Sequence, residues 1–304
     1  TINQTGTTGR LSGAAVNLVY TGAQTVGFEY TGALISSINN VTNNSTGGGL
    51  LTIDVAKTIG GALTANHDVT ITAATTVTGA ITVGSTRTLT ITGVVLTANG
   101  ATNTISGTLA GTGSINFLGN VTIGTFANTG TMGFVGVTGQ TLTVPTAGAT
   151  LASLSVNMTG VNPVLNVAGG NLTVGTTNAG QVTFINGIIN MGANTLILPN
   201  PTDRDPVTGG VQATTFSGLA YDRSGVTGTN VGHVVGRVQR AGNAGDGAAA
   251  TNGRFEFPVG TLTGQYRSAA ITFTPTYVLG NPVSIVVSHV ASTPDGTVGL
   301  PLNG

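Results

Sequence analysis

Cysteine and tryptophan are absent from this chain of 304 residues, and charge is scarce, with nine basic and nine acidic side chains. Without cysteine the chain forms neither disulfides nor thiolate metal sites, which is compatible with an exported protein. No cluster of Lys and Arg offers the positive surface that nucleic acid requires. No apolar run approaches the roughly 18 residues that span a membrane. We therefore expect neither a nucleic acid partner nor a membrane span.

Glycine, threonine, asparagine and valine are abundant instead, with 49 glycines and 39% hydrophobic residues. Threonine and valine are branched at Cβ and suit extended strands, whereas glycine and asparagine accept the backbone of tight turns. Lysine and glutamate, which favour helices, are rare. The apolar share is too high for a disordered chain. The composition predicts an ordered, all-β protein.

The central region of the sequence carries no charge. Between Arg87 and Asp203 there is no Asp, Glu, Lys, Arg or His. Thr, Asn, Ser and Gly hydrate such a surface but provide little repulsion between neighbouring chains. We expect a surface that tolerates close contact with other copies of the chain.

A pattern of apolar residue, Thr and apolar residue recurs along the chain. Alternation with period two places the aliphatic side chains on one side of a strand and Thr on the other, so each copy predicts a half-buried strand. The copies are Leu51–Ile53, Val69–Ile71, Leu89–Ile91, Val121–Ile123, Leu142–Val144, Leu172–Val174 and Val182–Phe184. Gly61–Thr64 and Gly79–Thr82 repeat at the same 18-residue spacing as the first two copies.

The spacing of these strands favours a parallel β-solenoid over residues 1–200. Most intervals are near one turn, or one and a half turns, of a β-helix, whose turns bury their apolar side by stacking on their neighbours. A string of antiparallel sandwiches is the alternative, because its strands recur at similar intervals. Asn-Gly hairpin signatures between long alternating runs are scarce, which favours the solenoid.

A change in composition near residue 200 predicts a domain boundary. Three prolines fall within Pro199–Pro206, and charged residues are concentrated in the last third of the chain. Three later segments alternate as longer strands: Phe255–Val259, Ala270–Phe273 and Val283–Val287. Residues 201–304 are predicted to form a small antiparallel β-sandwich-like module with a flexible, Gly-rich loop from Gly242 to Gly253.

Two sets of segments frame the chain. The first is Asn17–Tyr30 with Ile38–Thr42, and the second comprises Val234–Val238, Phe257–Thr261 and Tyr266-Arg267. Both resemble segments of the large β-strand-repeat surface proteins of type IX-secreting bacteria. The resemblance implies secretion and a role at the cell surface or in the extracellular matrix. The chain start resembles no export signal, so we expect any signal peptide to have been removed.

Residues for catalysis are sparse. The acidic residues of the first 200 positions are Glu29, Asp54 and Asp68, too dispersed for the paired carboxylates of a polysaccharide-cleaving β-helix. An enzyme is therefore the least favoured class, and we expect no catalytic residue, cofactor or metal site.

Several polar residues are weak candidates for binding. Asp54 with Lys57, and His67 with Asp68, would form a small patch on adjacent turns, which we interpret as solvated surface or a local ion pair. Asp203–Asp205 presents two carboxylates, a spacing that can serve Ca²⁺, but a solvated linker is favoured.

Four further residues lie downstream of the predicted boundary. His233 and His289 lack neighbouring ligands and are interpreted as ordinary strand residues. Tyr266 and Arg267 are weak candidates for a ligand contact, although a packed ring beside an outward Arg is favoured.

Asn-X-Thr triplets such as Asn120–Thr122 are expected by chance, and an inward Asn in a solenoid can bond turn carbonyls.

Two functional hypotheses follow. The first is a structural subunit of an extracellular bacterial fibre or surface layer, joined to copies of itself by strand pairing or end-to-end stacking. Under it, Thr1–Tyr20 contacts the next chain, at its C-terminal module or on its last turn, unless the segment caps its own solenoid. The candidate contact residues are Ala14, Ala15, Val16, Leu18, Tyr20, Leu196, Ile197 and Leu198. The second is an adhesin whose charged C-terminal module binds a surface or glycan.

Overall fold

Strands provide all the regular secondary structure in the described part of the chain. The computed structural model describes residues 16–26, 38–45, 48–137, 139–176, 179–200, 220–227, 231–242, 254–272 and 283–289. In chain order the strands are β1 (Val16–Tyr20), β2 (Gln24–Thr25), β3 (Ile38–Asn43), β4 (Leu51–Ile53), β5 (Lys57–Ile59), β6 (Leu63–Ala65), β7 (Val69–Ile71), β8 (Thr75–Val77), β9 (Ile81–Val83), β10 (Thr88–Ile91), β11 (Val95–Ala98), β12 (Thr102–Gly111), β13 (Ser114–Phe117), β14 (Asn120–Asn128), β15 (Thr131–Phe134), β16 (Gln140–Thr143), β17 (Ala149–Leu151), β18 (Ser153–Asn157), β19 (Val164–Ala168), β20 (Leu172–Val174), β21 (Val182–Leu198), β22 (Tyr221–Asp222), β23 (Gly232–Gly242), β24 (Arg254–Phe257), β25 (Ala269–Thr272) and β26 (Val283–Ser288).

Most of these strands pair in parallel and wind into a β-solenoid of about eight turns. Each complete turn places strand segments on three sides of the solenoid, and we call the three stacks of paired strands face 1, face 2 and face 3. Face 1 contains β1, β3, β6, β9, β16 and β19; face 2 contains β2, β4, β7, β10, β17 and β20; face 3 contains β5, β8, β11, β13, β15, β18 and β22. The long strands β12, β14, β21 and β23 continue from one face into the next. The predicted all-β fold with a parallel solenoid body is confirmed.

Apolar side chains fill the interior because burial alternates along each strand. Leu51 pairs with Val69, and Val69 pairs with Leu89, at intervals of 18 and 20 residues. All three side chains are fully buried, while the Thr between each pair of apolar residues is half-buried on the outer side. The predicted stacking of these segments is confirmed, and the alternative of tandem sandwiches is wrong for the body.

Corners between the faces combine glycine with buried amide side chains. Gly111 has a φ of 106°, and the Ile91 carbonyl occupies the space where a Cβ would lie, so any other residue would be strained there. Buried amides that hydrogen-bond the backbone at corners are Asn43, Asn103, Asn128, Gln140 and Asn186. Inward Asn residues therefore bond turn carbonyls, as predicted.

Parallel pairing continues past residue 200, where the sequence predicts a separate module. Val182 of β21 pairs with Tyr221 of β22, and Ile189 pairs with Val234 of β23. Residues 201–219, which link β21 to β22, lie outside the described residues. The parallel ladders thus extend into the C-terminal third of the chain.

Among the described strands, antiparallel pairing begins at this end. β26 pairs with the second half of β23, and β24 pairs with β25. The three longer strands predicted downstream are therefore present. Gly242, predicted to begin a loop, is the last residue of β23, because it pairs with Val283 of β26. Residues 243–253 lie outside the described residues.

Candidate functional site

A short hairpin closes the C-terminal end of face 1. We call residues 257–267 the cap hairpin. Val259 pairs in parallel with Val234 of β23. The Val234 N–H donates to the Pro258 carbonyl at 2.6 Å, and the Gly260 N–H donates to the Val234 carbonyl at 3.0 Å. The cap hairpin therefore adds a final strand to face 1.

Five polar side chains lie together at the base of the cap hairpin, one of them from the hairpin itself. We call them the polar plug: Arg223, His233, Arg240, Glu256 and Tyr266. His233, Arg240 and Glu256 are fully buried. The Arg240 Nη1 donates to the Glu256 carbonyl at 2.7 Å, and the Tyr266 hydroxyl donates to Glu256 Oε1. The Arg223 guanidinium lies 3.5 Å above the Tyr266 ring centroid, a cation–π contact. At this end hydrogen-bonded polar groups are thus buried alongside apolar core residues such as Val234, Val238 and Phe257.

Burial controls the ionisation of two members of the plug. Desolvation lowers the pKa of His233, the hydrogen bond with the Thr261 carbonyl opposes this shift, and the charges of Arg223 and His289 add to it. The Nε2 lies 2.7 Å from that carbonyl, so Nε2 carries the proton and donates. Desolvation also raises the pKa of the Tyr266 hydroxyl above its usual range, Arg223 opposes the shift and Glu256 adds to it. At neutral pH this arrangement keeps both groups uncharged.

The structure separates the two weak ligand candidates of the C-terminal module. Tyr266 is half-buried in the polar plug, whereas Arg267 is exposed and donates to Gln265 Oε1 at 2.6 Å. Among the described residues, no group of three or more His, Cys, Asp or Glu is placed to hold a metal. Asp203–Asp205 lies outside those residues. The polar plug therefore closes the end of the solenoid core.

A second polar cluster lies at a corner of the body. Arg87 Nη1 is 3.0 Å from His67 Nε2, and the Thr88 N–H donates to Asp68 Oδ1 at 2.8 Å. These contacts join two successive turns. The predicted single patch is wrong, because Asp54 and Lys57 lie at the opposite end of face 2, near the corner with face 3. Arg87, which was not predicted for the patch, contacts His67 instead.

The candidate contact residues near the N-terminus belong to β1 or precede it. β1 pairs in parallel with β3, and among the described strands it pairs with no other. Leu18 and Tyr20 are buried and Val16 is half-buried, so their side chains contribute to the chain's own core. Ala14 and Ala15 lie outside the described residues.

Leu196, Ile197 and Leu198 do not form the last turn. Leu196 pairs with Leu172 of β20 on one side and with Val238 of β23 on the other. Ile197 is likewise paired on both sides. β23 adds a further strand beyond them, so their backbone groups already have partners within the chain.

An unbroken row of threonines runs along the outside of face 1. Strand register aligns six of them, which we call the threonine row: Thr42, Thr64, Thr82, Thr104, Thr122 and Thr143. Thr82 and Thr122 are exposed and the other members are half-buried. The residues two positions before and after each member are uncharged: Asn40, Ala62, Ala80, Thr102, Asn120 and Thr141 on one side, and Asn44, Asn66, Gly84, Ser106, Gly124 and Pro145 on the other.

Sequence reasoning missed this row. Its successive members are 22, 18, 22, 18 and 21 residues apart, so no constant period reveals it. Thr122 and Thr143 belong to the recurring apolar-Thr-apolar copies, and Thr64 and Thr82 end the repeated segments Gly61–Thr64 and Gly79–Thr82, but no repeat joins these two pairs. The other faces carry shorter rows: Thr25, Thr52, Thr70 and Thr90 on face 2, and Thr58, Thr76 and Thr97 on face 3.

These features define the chain as a parallel β-solenoid whose C-terminal end is closed by the cap hairpin and the polar plug. No family model, curated protein or solved structure matches the chain. In the described part of the chain, no helix has the length and apolarity needed to cross a membrane.

Proposed function

We propose that this chain is a structural subunit of an extracellular bacterial fibre or surface layer and that it assembles with copies of itself. The observation that carries the proposal is the threonine row with its uncharged flanks on six successive turns of face 1. A solenoid repeats the same surface chemistry over many turns. Copies can approach such a surface without charge repulsion. The resemblance to secreted surface proteins supports the extracellular location.

The closed C-terminal end favours association through the sides of the solenoid. In β-solenoids an exposed final turn invites the next subunit to stack on it. Here β26 and the cap hairpin cover β23, and the polar plug fills the interior below them. A second contact is compatible with the proposal, in which β1 pairs with a strand in the C-terminal module of a neighbouring copy.

The polar plug weakens the adhesin hypothesis, although Arg237 and Arg267 of the same module are exposed. That hypothesis uses the charged C-terminal module as a binding surface. Arg223, Arg240 and Glu256 are buried and bonded within the module, so they contribute to its interior instead of its exterior.

Light scattering and electron microscopy of the purified chain over a range of concentrations test the proposal. We expect particles that grow with concentration. Because the contact surface is uncharged, their size should be nearly the same at low and high ionic strength. Monomers alone at the highest concentration would contradict the proposal, and assembly that salt dissolves would point to a charge-driven contact instead.

A further inference from the structure

We infer that the threonine row is the surface through which two copies of this chain bind face to face. The inference rests on the proposed function and specifies which surface and which partner are involved. The partner is a second copy because face 1 has the properties that an identical face requires.

The first property is chemical self-complementarity. Each threonine hydroxyl both donates and accepts a hydrogen bond, so one row of hydroxyls can pair with an identical row. The spacing between neighbouring strands, about 4.8 Å, is the same in both copies. A contact made on one turn is therefore repeated on the next turns.

The second property is the absence of charge. When a surface meets its own copy, any charged residue near the symmetry axis meets its like. Face 1 carries no charged residue in the threonine row or its flanks. Face 2, in contrast, has Asp54, Asp68 and Arg87 next to its strands, and β5 of face 3 begins with Lys57. Face 1 is therefore a better surface for self-association than face 2. It is also better than face 3, whose threonines end at Thr97, where Asn116 and Gly133 follow.

The third property is size. Six strands about 4.8 Å apart, each presenting three outward side chains about 6.6 Å apart, cover about 600 Å². Two such faces would bury about 1,200 Å², which is at the lower limit for a stable specific interface. We therefore expect a dimer that dissociates on dilution and is strengthened when further contacts join it in an assembly.

A pair of matched double substitutions tests the inference. Thr82→Lys with Thr104→Lys places two charges at the centre of the threonine row. Thr76→Lys with Thr97→Lys places two charges on adjacent strands of face 3, where the two threonines are also paired. Thr76, Thr97 and Thr104 are half-buried, and Thr82 is exposed. Both doubles carry the same charge and the same repulsion within one chain. Only the face 1 double would bring four lysines together, two from each copy, when two copies bind through face 1.

Sedimentation equilibrium gives the association constant, and circular dichroism checks that both variants keep the fold. We expect the face 1 double to lower the association constant about tenfold or more, because like charges would be buried against each other. The face 3 double should stay within about twofold of the wild type, because its charges lie outside the contact. Equal losses in the two doubles, or no loss in the face 1 double, would overturn the inference while leaving the proposed function in place. A wild-type chain that stays monomeric at every concentration would overturn both.

Discussion

Asn103 holds three successive turns of the solenoid together at one corner, and its removal should be costly. Its side chain is fully buried. Its Oδ1 accepts from the Ile81 N–H at 3.0 Å, and its Nδ2 donates to the carbonyls of Gly100 and Asn120 at 3.0 and 3.3 Å. Ile81 belongs to the preceding turn and Asn120 to the following one.

The substitution Asn103→Ala would remove all three bonds and leave the Ile81 N–H and the Gly100 carbonyl buried without this partner, whereas Asn120 is exposed. A net hydrogen bond contributes about 1 kcal/mol, and an unsatisfied buried group costs about 1–3 kcal/mol. We therefore expect the free energy of unfolding to fall by about 3 kcal/mol. Asn103→Leu should lose a similar amount, because it restores volume but none of the three bonds.

Urea unfolding followed by circular dichroism measures both losses as shifts in the midpoint. Asn116→Ala is the matched control, since Asn116 is half-buried on the outer side of face 3, and its midpoint should move little. A loss below about 0.5 kcal/mol in Asn103→Ala, or full stability in Asn103→Leu, would refute the reasoning, because the backbone groups would then be satisfied without the amide.

Two further predictions concern the C-terminal end. The pKa of His233 is lower in the folded chain than its ordinary value of 6.5, so the unfolded chain takes up this proton first as the pH falls. This group should therefore leave the free energy of unfolding unchanged above about pH 7 and lower it as the pH falls below 6.5. Urea titrations of wild type and His233→Gln at about pH 7 and about pH 5.5 would contradict this if their pH dependence were equal. A Cβ on Gly260 would lie 2.5 Å from His233 Cδ2, so Gly260→Ala should lower the free energy of unfolding by about 1–3 kcal/mol. At Gly22, where no atom lies within 4 Å of a Cβ, the same substitution should leave the thermal midpoint almost unchanged. Equal midpoints for the two variants would contradict the predicted clash, because the cap hairpin would then have moved to accommodate the Cβ.

The strands of the body were predictable because their signal is local. Alternation of apolar residues with Thr appears within three residues, as in Leu51–Ile53, and stacking follows wherever two copies are one turn apart, as they are at Val69–Ile71. The inward role of Asn was also accessible in general terms, since a solenoid corner exposes backbone groups that need partners.

The C-terminal closure and the threonine row depend on long-range pairing, which the sequence does not display. Arg240 and Glu256 read as surface residues, because charged side chains are rarely buried unless paired. Arg240 is buried because β23 pairs in parallel with β21 across the change in composition near residue 200. Glu256 is buried beside it, where its carbonyl accepts from Arg240. Thr82 and Thr104 likewise become neighbours only when the register of face 1 is known.

Cysteine cross-linking of the intact chain tests the central claim, that copies assemble through face 1, most directly. The chain has no cysteine, so a single Thr82→Cys substitution places one thiol at the centre of the threonine row, and Thr76→Cys places one on face 3 in the same turn. A bifunctional thiol reagent that spans about 10 Å matches the separation of sheets packed face to face. If copies assemble through face 1, we expect cross-linked dimers for Thr82→Cys and few for Thr76→Cys. Equal cross-linking of the two variants, or none at Thr82→Cys while the protein assembles, would contradict it.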